Sequence, residues 1–239
     1  MTVSSAAERA FETIAARERD VLRAYTDGGV PQFDDVRVEP RVETSADPLS
    51  VAAPADAFFV ATDERGQERY TRDGSLKYVN GSVCDRDGHP LLGYYDHAAS
   101  PSPLRAEAVD VRLGLVGDLR IDADGAVSYA KTVVDPKTGA RESRRILIGR
   151  IALARFPAAS KLHQTGATQF AAPAGILPHL GRPGDGNFGL LRTRARERSE
   201  VDIDLGLERL QEAYVAFDAL RAAHKAQGSV EKTSMDLLK

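Results

Sequence analysis

Residues 69–95 read RYTRDGSLKYVNGSVCDRDGHPLLGYY. Asp73-Gly74, Asn80-Gly81 and Asp87-Gly88 are dipeptides that tolerate positive φ, the strongest short-range hairpin signal. They separate short runs rich in β-formers: Glu68–Thr71 before the first and Leu91–Tyr95 after the last. The grammar continues on both sides, with Phe58-Phe59-Val60 upstream and Leu119-Arg120-Ile121 and Ala126–Tyr129 downstream, parted by the turn signal Asp124-Gly125. Arg145–Phe156 reads as one long, well-buried strand. The centre is therefore β-rich from about Ala55 to Phe156.

Two stretches break this pattern. Residues 36–54 contain Pro40, Pro48 and Pro54 and read as an extended linker. Residues 171–189 contain Pro173, Pro178, Pro183 and five glycines and read as an irregular loop.

The two ends have helical periodicity. Ser5-Ala-Ala-Glu8 has capping-box spacing, and Ala7, Phe11, Ile14, Val21 and Tyr25 follow on one face of a helix. Thr26-Asp27-Gly28-Gly29 and Pro31 supply its stop. At the other end Ser199 precedes Ile203, Leu207, Leu210, Tyr214, Phe217, Arg221 and His224, which step four, three, four, three like a heptad seam. Leu205, Ala213 and Leu220 widen it, and 200–227 as a helix would be a rod of about 40 Å. A pause is expected at Gly228-Ser229, then a last turn with Met235, Leu237 and Leu238. A narrow seam needs a partner, and the nearest candidate is the seam at the other terminus; surface helices lying on the β core are the alternative.

The 239 residues amount to about one and a half domains. With 32 basic and 35 acidic side chains the net charge is −3, which argues against a nucleic-acid arm or a polybasic membrane patch. No window approaches 18 apolar residues, so no membrane insertion is expected. The N-terminal segment has no basic region ahead of an apolar run, so no cleavable secretory signal is expected. A single cysteine, Cys84, excludes an internal disulfide framework and multi-cysteine metal sites.

Catalytic motifs fare poorly. Gly184-Asp-Gly-Asn-Phe-Gly189 matches G-x-G-x-x-G, but pyrophosphate binding needs a strand before the first glycine and a helix after the last. Here Pro178 and Pro183 precede it and Leu190–Arg196 alternates like a strand, so a flexible loop is the better reading. Asp122-Ala-Asp124-Gly125 and Asp85-Arg-Asp87-Gly88 place glycine too early for a calcium loop and read as hairpin turns. His89, His97, His163, His179 and His224 are scattered without metal-ligand spacing. Cys84 has no evident base and reads as an inert thiol. No catalytic, cofactor or metal residue is assigned. Arg192, Arg194, Arg196 and Arg198 alternate and would share one strand face, either solvated or meeting an acidic subunit partner.

From Pro48 on, PLSVAAPADAFFVATDERGQERYTRDGSLKYVNGSVCDRDGHPLLGYY resembles the core signature of flagellar basal-body rod and hook proteins: a G-x-G-F-F-V strand, Y-T-R-x-G-x-[FL], a turn, and a hairpin ending in L-G. Phe58, Phe59, Tyr70, Thr71, Arg72, Gly74, Leu76, Gly81, Gly88, Leu92 and Gly93 stand at matching positions. IALARFPAASKLHQTGATQFAAP and GRPGDGNFGLL are similar to later stretches of the same family. RERSEVDIDLGLERLQEAYVAFDALRAAHKAQ resembles E-x-S-N-V-D-L followed by a helix bearing Q-R-A-Y, with Ser199, Val201, Asp202, Gln211, Ala213 and Tyr214 in register. The likeness covers about four fifths of the chain and is closest to the distal-rod type. The sequence departs from the pattern in two places. RAYTDGGVPQFDDV keeps only a proline and Phe33 of the family's asparagine-rich box, and Pro54 or Ala55 and Ala57 stand near glycine positions.

The resemblance implies an α+β fold in which N- and C-terminal helices pair as a coiled-coil-like domain carrying an elongated all-β central domain. The expected boundaries are 1–30 for the first helix, 31–54 for an extended linker, 55–198 for the β-rich domain and 199–239 for the second helix. It implies a non-enzymatic structural subunit that self-assembles through a seam of Phe11, Ile14, Val21, Leu207, Leu210, Tyr214 and Phe217. Its partners would be further copies, other rod or hook subunits and the flagellar export apparatus. Its place would be the periplasm-spanning rod, reached by type III export without a cleaved signal. The rival readings are a nucleotide-binding enzyme using the Gly184–Gly189 loop and a monomeric β binding module capped by its helices.

Overall fold

The computed structural model describes residues 3–29, 31, 32, 35, 41–54, 56–96, 98–105, 119–134, 141–157 and 162–237, with backbone alone at 3–5, 132–134 and 228–237. Phe33, Ala55, His97 and Leu238 lie outside the described residues. A helix near each end of the chain and a sheet-rich centre make the architecture α+β.

The first helix, α1, spans Val3–Arg23. Then come β1 (Val42–Thr44), β2 (Val51–Ala52), β3 (Phe58–Thr62), β4 (Glu68–Thr71), β5 (Lys77–Val79), β6 (Ser82–Cys84), β7 (Leu92–Tyr94) and β8 (Ser102–Pro103). After them follow β9 (Arg120–Ile121), β10 (Ala126–Val134), β11 (Arg141–Ile151), β12 (Leu153–Arg155), β13 (His163–Gln164), β14 (Gln169–Ala171), β15 (His179–Gly181), β16 (Arg192–Thr193) and β17 (Ala195–Glu197). The chain closes with α2, Ile203–Leu237. It divides into two compact units, one spanning 1–26, 30–39 and 199–239, the other 27–29 and 40–198.

In the helical unit α2 starts at Ile203, three residues after the start expected at Glu200. Asp202 caps it: its Oδ1 accepts from the Leu205 N–H at 3.1 Å while its carbonyl accepts from Gly206 at 2.9 Å. Ser199 Oγ accepts from the Val201 N–H at 3.0 Å and fixes the turn ahead of the cap. Asp204 in the first turn complements the helix dipole. The helix does not pause at Gly228-Ser229 as expected; it continues to Leu237, since one glycine costs a helix only about 1 kcal/mol.

The strand unit is antiparallel throughout, with a six-stranded sheet ordered β13-β14-β4-β3-β12-β15 and a five-stranded sheet ordered β8-β7-β11-β10-β9. The expected single strand over 145–156 is two. β11 pairs with β10 and β7, the chain steps at Ala152, and β12 pairs with β3 and β15 in the other sheet. Its first half, through Arg145, is exposed, and only the end near Ile148–Ala154 enters the core. Leu104, Leu91, Val127, Ile151, Leu153, Phe59, Val83 and Val51 form the centre of one apolar cluster.

The turn dipeptides divide. Asn80-Gly81 joins β5 to β6 with φ of 49° and 82°, the doubly left-handed turn that asparagine and glycine permit. Gly125 and Gly88 also take positive φ in turns. Asp73-Gly74 makes no hairpin. A Cβ on Gly74 would stand 1.6 Å from the Val51 carbonyl oxygen, so this glycine permits one backbone to lie against another.

The stretch read as linker is partly strand. β1 pairs with β17 and β2 pairs with β16, while residues 36–40 lie outside the described residues. The stretch 171–189 is not all loop either: β15 docks on β12, and Phe188 is buried with its ring stacked on His179 at 5.6 Å. Prolines and glycines hid these short edge strands because they mark turns whether or not two or three residues between them pair.

Candidate assembly surface

The helices α1 and α2 lie side by side and antiparallel: Gly206 stands against Val21, and the Tyr214 hydroxyl donates to Glu18 Oε1 at 2.5 Å. Of the expected seam, Ile14 is buried, and Val21, Leu210 and Phe217 are half-buried. The other three face outward, with Phe11 63% exposed, Leu207 48% and Tyr214 44%. On α2 the half-buried apolar positions after buried Gly206 are Leu210, Ala213, Phe217 and Leu220. Leu207 and Tyr214 sit one residue beyond Gly206 and Ala213, about 100° around the helix. The heptad rule caught the right helix and merged two adjacent rows.

On α1 Phe11, Glu18 and Leu22 fall within about 40° of one another at 100° per residue. Leu22 and Tyr25 are 68% and 75% exposed. Because Glu18 of this row bonds Tyr214 of the other, the rows flank the same side of the helix pair. That side presents Phe11, Leu22, Leu207 and Tyr214 to solvent. Elsewhere in the helical unit charges are paired: Arg17 holds Asp35 through two bonds of 2.6 and 2.8 Å, and Arg23 holds Asp20 at 2.8 Å out of water.

The residues matching the rod and hook signature play structural parts in both units. Phe59 is wholly buried, and Phe58 meets Phe156 and Phe170 edge-on at 5.8 and 5.9 Å. Tyr70 packs on Phe156 at 4.8 Å and donates its hydroxyl to Glu68. Thr71 Oγ1 accepts from the Asp73 N–H. Arg72 Nε donates to Glu197 Oε1 at 2.7 Å, a second guanidinium nitrogen donates to Oε2, and the third reaches the carbonyls of Ala57 at 2.8 Å and Pro54 at 3.1 Å. A Cβ on Gly93 would press on the Arg150 carbonyl and on Leu104, both at 2.5 Å. Ser199, Val201 and Asp202 form the cap of α2, and Gln211 is exposed on its surface. The reading from sequence missed the partnership of Arg72 with Glu197, 125 residues apart; no local pattern announces a partner at that distance.

The candidate chemical sites resolve into structure. Asp85, Asp87 and His89 bring ligand-type atoms within 4.8 Å of one another. Those atoms are engaged: Gln169 Nε2 lies 3.0 Å from Asp85 Oδ2, 2.8 Å from Asp87 Oδ2 and 2.8 Å from His89 Nδ1. Asp85 Oδ1 accepts from the N–H groups of Asp87 and His89, so the cluster ties a turn to β14. Burial, with Asp85 beside it, pushes the Cys84 thiol up, away from nucleophilic use. The Gly184–Gly189 segment is a turn closed by the Gly184 N–H on the Phe188 and Gly189 carbonyls, and it leads to β16 rather than to a helix. His163 and His179 stand on β13 and β15, and His224 is exposed on α2.

The arginine stripe is not one face. Arg194 has φ of 50° and breaks the strand between β16 and β17. Arg196 and Arg198 turn to Asp27 at 3.4 and 3.9 Å. Among the described residues no helix is long and apolar enough to cross a membrane. Searched against protein-family models and against curated proteins, the chain matches none.

Proposed function

We propose that this chain is a structural subunit of the flagellar rod–hook axial assembly, of the distal-rod type, and not an enzyme. Its helices pair as a short coiled-coil-like bundle, and the bundle's apolar side packs against neighbouring copies and other rod or hook subunits. The observation that carries the reading is that side itself. Four large apolar or aromatic residues from both helices stand 44–68% exposed on one side of the pair, where a lone domain would bury or replace them. A self-associating bundle explains both rows: Ile14, Leu210 and Phe217 serve the intramolecular contact, and Phe11, Leu22, Leu207 and Tyr214 the intermolecular one. The resemblance of Phe58–Gly93 and Ser199–Tyr214 to the rod and hook signature supplies the identity of the assembly. Under this reading the subunit travels through the flagellar export apparatus without a cleaved signal and ends in the periplasmic rod.

The test is genetic. Deleting the gene removes hooks and filaments, and wild-type protein supplied in trans restores them. A deletion strain that still builds complete filaments ends the proposal.

A further inference from the structure

A cleft of about 420 Å³ in the strand unit is lined by Pro48, Leu119, Arg120, Ile121, Arg145, Thr193 and Arg194. Of these, Leu119 and Ile121 also belong to the main core cluster. Arg120 stands on β9 opposite Ser128 of β10, and Arg145 stands on β11 opposite Ala130 of β10. Arg194 comes from the break between β16 and β17. Three arginines from separate parts of a chain of net charge −3 thus line one cleft, and none of its lining residues carries a carboxylate.

These arginines are not consumed by internal ion pairs. Arg120 meets Asp122 at 2.7 Å in an exposed pair of the kind that solvent weakens. Arg145 donates to the neutral Ser128 hydroxyl at 3.3 Å. Arg194 has no carboxylate partner among the described residues, although Arg196 and Arg198 beside it both do. Arg194 is also held left-handed at φ 50°, a conformation that a long side chain adopts only at a cost. Asparagine or glycine would occupy it more easily.

We infer that this cleft is a binding site for a small polyanion bearing two or more phosphate or carboxylate groups. The planar guanidinium forks take the oxyanions in pairs, and the Thr193 hydroxyl adds a donor. The cleft's volume falls within the usual range for small-molecule sites. The site is separate from the helical surface and does not depend on the flagellar reading.

The experiment is calorimetric titration of the full chain with pyrophosphate and with citrate at fixed ionic strength. Saturable one-to-one binding of at least one of them is expected, and the stronger ligand tells phosphate from carboxylate chemistry. Arg145→Gln and Arg194→Gly should each weaken binding about tenfold or more. Arg144→Gln, on the adjacent position of β11 and therefore the other face, should leave binding unchanged. Arg194→Gly should at the same time raise the melting temperature, because glycine relieves the left-handed backbone. Absence of saturable binding by both ligands overturns the inference. So does an equal loss in Arg144→Gln, which would mark diffuse charge attraction, or unweakened binding in Arg194→Gly.

Discussion

Arg72 and Glu197 form a forked ion pair with side chains only 5% and 2% exposed, joining the residue after β4 to the end of β17. Arg72 also donates to two carbonyls, those of Pro54 and Ala57. Each charge therefore depends on the other, and two backbone acceptors depend on the arginine. Removing one partner strands a buried charge, which costs about 3–5 kcal/mol. Glu197→Ala should lose that much in urea denaturation, with Glu197→Gln in between because an amide oxygen still accepts. Arg72→Met should be at least as damaging, since it orphans the carboxylate and both carbonyls. Glu197→Ala with a wild-type midpoint would show that the pair does not hold the unit together.

Gly74 offers a second test of how the unit closes. Its amide neighbour Leu76 and the Val51 N–H both bond to its carbonyl at 3.0 Å, and its missing side chain leaves room for the Val51 carbonyl. Gly74→Ala should cost about 3 kcal/mol or more, because the atom in the way is backbone and cannot rotate aside. Gly66→Ala is the control: φ is 75° but nothing lies within 4 Å, so the loss should be about 1–2 kcal/mol from backbone strain alone. Equal losses in thermal melts of the two variants would contradict the packing account.

These positions show what the sequence could and could not say. Asn80-Gly81 was readable because its turn is local, needing only two residues that accept positive φ. The terminal helices were readable because their periodicity is local as well, but their starts were not: α1 begins at Val3, ahead of the capping box read at Ser5, and α2 is capped by Asp202 rather than beginning at Glu200. Asp73-Gly74 carried the same signal and meant something else, since its glycine answers to Val51, outside any window around it. The step from β11 to β12 was invisible for a related reason: a run of apolar residues says that a strand is buried, not which sheet it joins. On the helices, periodicity fixed which residues are apolar but not which of two neighbouring rows meets the partner helix. In the folded chain the row that meets the partner helix is the one carrying Gly206, which stands against Val21.

Asp73 should give the strand unit a pH signature. Burial raises its pKa above the ordinary 3.8, opposed by bonds from Ser75 and by Arg86 3.5 Å away. Its Oδ1 accepts from the Ser75 N–H, while Oδ2 is buried with no hydrogen bond. The folded chain thus holds this proton more tightly than the unfolded chain does. Linkage then makes the contribution to stability fullest below pH 3.8 and progressively lost as pH rises through the raised folded value. Asp73→Asn keeps an acceptor for Ser75 and removes the charge. It should melt higher than wild type at pH 7.5, with the difference shrinking toward pH 4. A variant that is no more stable at pH 7.5 would mean that Arg86 and the local dipoles already compensate the charge.

The two rows on the helices should separate folding from assembly. Leu210 and Phe217 are half-buried on the side of α2 that carries Gly206, so Leu210→Asp or Phe217→Asp introduces a charge into the contact between α1 and α2. Either should lower helical content and abolish assembly, while near-ultraviolet signals from the strand unit persist. Phe11 and Leu22 are exposed, and replacing both by serine removes no buried contact. That double variant should keep the monomer's stability within about 0.5 kcal/mol per site. Under the assembly reading it should nevertheless fail to form the larger species that wild-type protein forms in sedimentation velocity as concentration rises. Sedimentation of the double variant indistinguishable from wild type at every concentration would remove the outward row from the assembly contact.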